Sequence, residues 1–169
     1  MGQVLKGVCG DGGEEAGIIM AVILDKSEVA NILYATFNNF IDSNEFPIRV
    51  ILADDQYLPV DIAWVINFIE TDPILSPDRY TGNIFDCDDY VLYLKTKTGL
   101  FAQKAGAAAP FALGFLFTQK HAFNLCIDEN RQVHLINTQS DNRASTAERE
   151  AFATFLKIGS SNTIQIIYL

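Results

Sequence analysis

Apolar positions along this chain repeat at two periods, and the change of period divides it. Between residues 27 and 42, Val29, Ile32, Leu33, Phe37, Phe40 and Ile41 recur every three or four residues. That spacing puts them on one face of a helix, with Ser27 as its N-cap. Pro59 opens a second helix reaching about Glu70, with Ile62, Val65, Ile66 and Ile69 along one side. A third is predicted from near Cys87 to just before Gly99. Pro47–Leu52 reads as a short strand or extended connector, and Asp72–Asn83, with two prolines and a glycine, as a loop. Ala105–Ala109 is a small-residue loop segment.

After Pro110 the pattern changes to strands: Phe111–Thr118, His121–Asp128, Val133–Thr138 and finally Thr163–Leu169. Ser145-Thr146-Ala147-Glu148 fits a capping box that starts a helix through Phe152, Phe155 and Leu156, stopping at Gly159. Helices first and strands second give an α+β fold, with N-terminal helices packed on a C-terminal antiparallel sheet. The length of 169 residues suits a single domain, 1–169, with one core. Residues 7–17, rich in glycine and acids, read as a flexible surface segment. They form no phosphate loop, because no Gly-Lys-Ser/Thr follows.

Charge and cysteine usage narrow the function. A net charge of -9, from 21 acidic and 12 basic residues, argues against a nucleic-acid partner. The apolar stretch Ile18–Leu24 is too short to span a membrane, and no basic-then-apolar leader opens the chain. Three widely spaced cysteines, Cys9, Cys87 and Cys126, form neither a disulfide framework nor a zinc motif. Reduced thiols and a cytoplasmic location are the expectation.

Of these, Cys87 has chemical context. It lies where a polar turn meets the third helix, and a helix N-terminus stabilises a thiolate. His121 follows, then Asn137 and Gln139, which is the chain order of a papain-like thiol hydrolase. If the hairpin between the second and third strands turns on Asp128, Glu129 and Asn130, Asn137 falls opposite His121. A two-residue loop would shift that partner to Thr138. Opposed residues have Cβ atoms about 4.5–5.5 Å apart, close enough for an amide to orient an imidazole. Asp86, Asp88 and Asp89 crowd Cys87. Acids in a first helical turn complement its dipole, and clustered carboxylates also suit Ca²⁺. Cys9, Cys126 and His134 read as structural.

Phe85-Asp86-Cys87-Asp88-Asp89-Tyr90, His121-Ala122-Phe123-Asn124 and Ile136-Asn137-Thr138-Gln139 together resemble the papain-like C-terminal domain of fungal chimeric lectins, the Marasmius oreades agglutinin family. The first run is also similar to bacterial transglutaminase-like cysteine proteinases. The resemblance covers roughly residues 55–140. It implies a papain-like fold, a homodimer, and a calcium-activated cysteine protease acting on a peptide or protein substrate. Cys87 would be the nucleophile and His121 the base. Asn137 would stand where the family has Glu, and Gln139 at the oxyanion. Asp88 and Asp89 would be linked to calcium, and Tyr80 would replace a Trp. The family's sugar-binding β-trefoil is absent, since no Gln-x-Trp repeat occurs. Two alternatives accompany this reading: transglutaminase-like acyl transfer by the same residues, and a non-catalytic interaction domain on the same scaffold.

Overall fold

The structure, a computed structural model, describes residues 22–38, 49–75, 85–118, 121–138, 142–147, 151–152 and 164–169. Its first strand, β1 (Leu24–Asp25), runs straight into helix α1 (Lys26–Asn38). The cap is Asp25, two residues before the expected Ser27. Its Oδ1 accepts the Glu28 N–H at 2.8 Å and the Ser27 hydroxyl at 2.6 Å. A carboxylate outcompetes a hydroxyl for the free N–H groups of a first turn. Val29, Leu33 and Phe37 form the buried face, as their spacing predicts.

Strand β2 (Arg49–Ile51) and the two-residue β3 (Gln56–Tyr57) follow. Helix α2 (Ile62–Thr71) begins three residues after the proline expected to open it. The delay has a cause. Val60 N–H donates to the Ile127 carbonyl at 2.9 Å, which holds that residue extended. Asp61 then caps the helix through Ala63 N–H at 2.8 Å.

Helix α3 (Cys87–Lys104) runs past the glycine expected to end it. Tyr90, Val91, Leu94, Thr98 and Ala102 are all buried, so its packed face continues through Gly99. The stop comes at Gly106, with φ 67°. Gly106 N–H bonds to the Gln103 carbonyl and Ala107 N–H to the Ala102 carbonyl, which is the Schellman arrangement. The propensity cost of one interior glycine, about 1 kcal/mol, is smaller than the burial it would forfeit.

The main sheet adds β4 (Leu113–Thr118), β5 (Ala122–Ile127), β6 (Val133–Asn137), β7 (Asn142–Ser145) and β8 (Ile164–Tyr168). Its order is β2-β8-β4-β5-β6-β7, antiparallel except where β2 runs parallel to β8. The three helices named among the described residues and a mostly antiparallel sheet make the fold α+β, as the pattern predicts. Residues 142–145 form an unexpected strand, while the Ser145 Oγ accepts the Ala147 N–H at 3.2 Å, as an N-cap would, and Glu148 lies outside the described residues. Ser145 pairs with His134 in the sheet, and a turn follows it. The remainder of that expected helix, and the segment 7–17, lie largely or wholly outside the described residues.

The sheet is covered on both faces. Leu116, Leu125, Ile127 and Leu135 pack with Val29, Leu33 and Phe37 of α1. Leu113, Cys126 and Ile136 point the other way, against Val65 and Ile69 of α2 and Tyr90 and Leu94 of α3. Side chains alternate between faces along a strand, so a doubly covered β5 is buried at all six positions. Gly114 is required by a close approach: a Cβ there would sit 1.8 Å from the Tyr168 carbonyl oxygen.

Candidate functional site

The β5–β6 hairpin sets the site, and its register differs from the expectation. The loop has three residues, but they are Glu129, Asn130 and Arg131, one position later than supposed. Asp128 N–H bonds to the Gln132 carbonyl at 3.0 Å, and Arg131 takes the left-handed conformation with φ 62°. Asn124 therefore pairs with Ile136, and each partner moves by two positions. A shift of two keeps every side chain on its face, whereas a shift of one would not. His121 becomes diagonal to Asn137 instead of directly opposite. The contact survives, with His121 Nε2 lying 3.1 Å from Asn137 Oδ1. A ring N–H donating to that oxygen leaves Nδ1 as an acceptor.

The backbone of His121 is held as well. The Thr118 hydroxyl donates to the His121 carbonyl at 2.9 Å and accepts its N–H at 3.0 Å. The imidazole stands edge-on to Phe123, with centroids 4.6 Å apart.

Cys87 opens α3 and sits half-buried against the start of β5. The Ala122 N–H is directed at its sulfur, so the helix does bring Cys87 beside the residue that follows His121. Its pKa is nonetheless raised. Burial is the main cause; the charges of Asp86 and Asp88 add to it, and the Ala122 N–H only partly offsets them. A helix N-terminus alone does not make a thiolate here. Cys126 is fully buried in the core, where loss of solvent pushes its thiol far up.

The three carboxylates have separate roles. Asp89 Oδ2 accepts the Asp86 N–H at 3.2 Å and belongs to the helix cap. Asp86 and Asp88 share a hydrogen bond, which is the first cause of the raised pKa of Asp88. Donor atoms of Asp86, Cys87 and Asp88 lie within 4.8 Å of one another. Asp86 Oδ1 is buried without a hydrogen-bond partner. Two carboxylates with an unsatisfied oxygen fit a hard cation such as Ca²⁺, through Asp86 and Asp88. Gln139, Tyr80 and Cys9 lie outside the described residues.

Sequence reasoning missed Asn124. Fully buried, its Nδ2 donates to the carbonyls of Val91 and Gly114, each at 3.0 Å, and its Oδ1 accepts the Thr138 hydroxyl at 2.5 Å. A signal was available: an Asn at the third position of an otherwise apolar strand must find partners once buried.

No helix among the described residues is long and apolar enough to cross a membrane. No protein-family model matches the chain, and no curated protein matches it. Solved structures do. One, described as "PSL1a-E64 complex", superposes with a TM-score of 0.61 at 18% identity, covering 74% of this chain and 47% of that one. Another is Polyporus squamosus lectin bound to the "human-type influenza-binding epitope" Neu5Aca2-6Galb1-4GlcNAc. It has a TM-score of 0.58 and 18% identity, with 72% and 45% covered. The chain thus spans less than half the length of these structures, and the likeness is one of fold.

The matching structures are of a lectin, which runs against the expected enzyme, hydrolase and cysteine protease classes; at 18% identity the likeness itself is one of fold. At Cys87, burial and then the charges of Asp86 and Asp88 raise the thiol's pKa.

Proposed function

We propose that this chain is a non-catalytic interaction domain whose ligands are glycans. The observation that carries the non-catalytic part is the setting of Cys87. Cys87 is half-buried, with the Ala122 N–H directed at its sulfur, and burial followed by the charges of Asp86 and Asp88 raises its pKa. The ligand class is supported by the likeness to a lectin bound to a sialylated trisaccharide. The chemistry of the site agrees with it. Asp88 is exposed, and His121 and Asn137 are partly so. A carboxylate, an imidazole and an amide together offer the donors and acceptors that sugar hydroxyls need.

The test is a glycan array followed by calorimetric titration with Neu5Acα2-6Galβ1-4GlcNAc. Saturable binding that weakens in Asn137→Ala supports the reading. Absence of binding across the array removes the glycan assignment. Turnover of a peptide library by the wild type, lost in Cys87→Ala, would overturn the non-catalytic one.

A further inference from the structure

Four segments of the chain meet at one amide. Asn124 belongs to β5. Its Nδ2 reaches the Val91 carbonyl on α3 and the Gly114 carbonyl on β4. Its Oδ1 takes the hydroxyl of Thr138, the residue after β6. Asn124, Thr138 and Val91 are all buried, at 0%, 1% and 1% exposure. Val91 lies one helical turn beyond Cys87, and Thr138 is the immediate neighbour of Asn137. The same amide therefore fixes both the helix that carries the thiol and the strand end that carries the partner of His121.

Apolar packing alone would not do this. Leu94, Val65 and their neighbours hold α3 against the sheet, but contacts of that kind tolerate a small slide along the strands. A buried amide with two fixed acceptors and one fixed donor does not tolerate it, because any slide leaves polar groups unpaired in the core. We infer that Asn124 and Thr138 are positioning residues for the site of Cys87, His121 and Asn137. Their hydrogen bonds set where the α3 N-terminus and Asn137 stand relative to His121. This inference concerns the geometry of that site and holds whether its ligand is a glycan or another molecule.

Thr138→Val tests it, since valine keeps the shape and removes only the hydroxyl. Thr138→Ser is the rescue, since it keeps the hydroxyl and removes a methyl. The chain has two histidines, so their ring signals in nitrogen-15 NMR can be told apart. His134, bonded to Asp128 at the far end of the hairpin, serves as the internal reference. The expected result in Thr138→Val is a displaced and broadened His121 ring signal with His134 unchanged. Alkylation of Cys87 at a fixed neutral pH should also change severalfold. Thr138→Ser should restore both.

Val65→Ala, a core truncation away from the amide, controls for general loss of stability and should leave the His121 signal in place. If Thr138→Val leaves His121 unmoved, the inference fails. It fails equally if Val65→Ala moves His121 as far, or if Thr138→Ser behaves like valine. Should Thr138→Val not fold, Asn124→Asp provides the second reading, because it keeps the acceptor and loses both amide donors. There too, displacement of His121 alone is required.

Discussion

The two histidines of this chain lie at opposite ends of the same pair of strands, and each is bonded to a short polar side chain. At the loop end, His134 Nε2 is 2.9 Å from Asp128 Oδ2, and both residues are nearly buried. The other carboxylate oxygen accepts the N–H groups of Asn130 and Gln132, at 2.9 and 2.8 Å. Asp128 thus closes the hairpin with one oxygen and holds a histidine with the other. At the open end, His121 meets a neutral amide, partly exposed, beside a thiol and two carboxylates. Among the described residues, the Asn137 side chain is bonded to His121. The first pair is part of how the hairpin forms, while the second is a group that the finished fold presents to solvent.

The difference can be broken from either end. Asp128→Ala should have the largest effect, a loss of about 3 kcal/mol in denaturant unfolding. It strands a buried imidazole and two backbone N–H groups together. Asn137→Ala should cost only about 1 kcal/mol in the same measurement, because water can reach the freed ring nitrogen. Equal losses would erase the distinction between the two ends.

The smallest effect should come from Asp88→Asn, and its sign is the informative part. The hydrogen bond with Asp86, then burial, raises the pKa of Asp88, so the folded chain holds that proton more tightly than the unfolded chain does. The resulting stability is full below the unfolded carboxylate range and is lost as pH rises through the folded pKa. Asp88→Asn should therefore gain melting temperature relative to wild type on going from pH 4 to pH 7. With calcium present at pH 7 the wild type should recover that ground, and the variant should not. A wild-type melting temperature indifferent to calcium would remove the cation from Asp86 and Asp88.

Much of the fold could be read from periodicity, because apolar spacing reports which face is buried. Val29, Leu33 and Phe37 mark α1, and β4, β5, β6 and β8 fall within two residues of their expected ends. The features that escaped depend on competition between neighbours. Gly99 looks like a helix stop until Thr98 and Ala102 are seen packed on either side of it. The strand Asn142–Ser145 was hidden behind the capping-box spacing of Ser145 and Glu148, because only its pairing with β6 reveals it. In the site, the pairing of His121 with Asn137 was legible even though the loop was misplaced by one residue, since that error preserved the face. The raised pKa of Cys87 was half legible. The flanking acids are visible in the sequence, but the burial that dominates belongs to the packing of α3 on β5. That a buried Asn124 needs partners was legible, but which ones was not, because they lie 33 and 10 residues before it and 14 after it.

The order β2-β8-β4-β5-β6-β7 has a consequence for the timing of assembly. Strand β8 follows all the other strands in the chain, yet it sits inside the sheet, with β2 on one side and β4 on the other. A nascent chain emerging as far as β7 can pair β4 through β7, but β2 has nothing to join. The edge of β4 stays open to other chains until Ile164–Tyr168 leaves the ribosome. Closing the sheet then spans more than a hundred residues of sequence in one step, the kind of long-range pairing that makes folding slow. The glycine at 114, which lets the Tyr168 carbonyl come close, is therefore spent on the last strand to arrive.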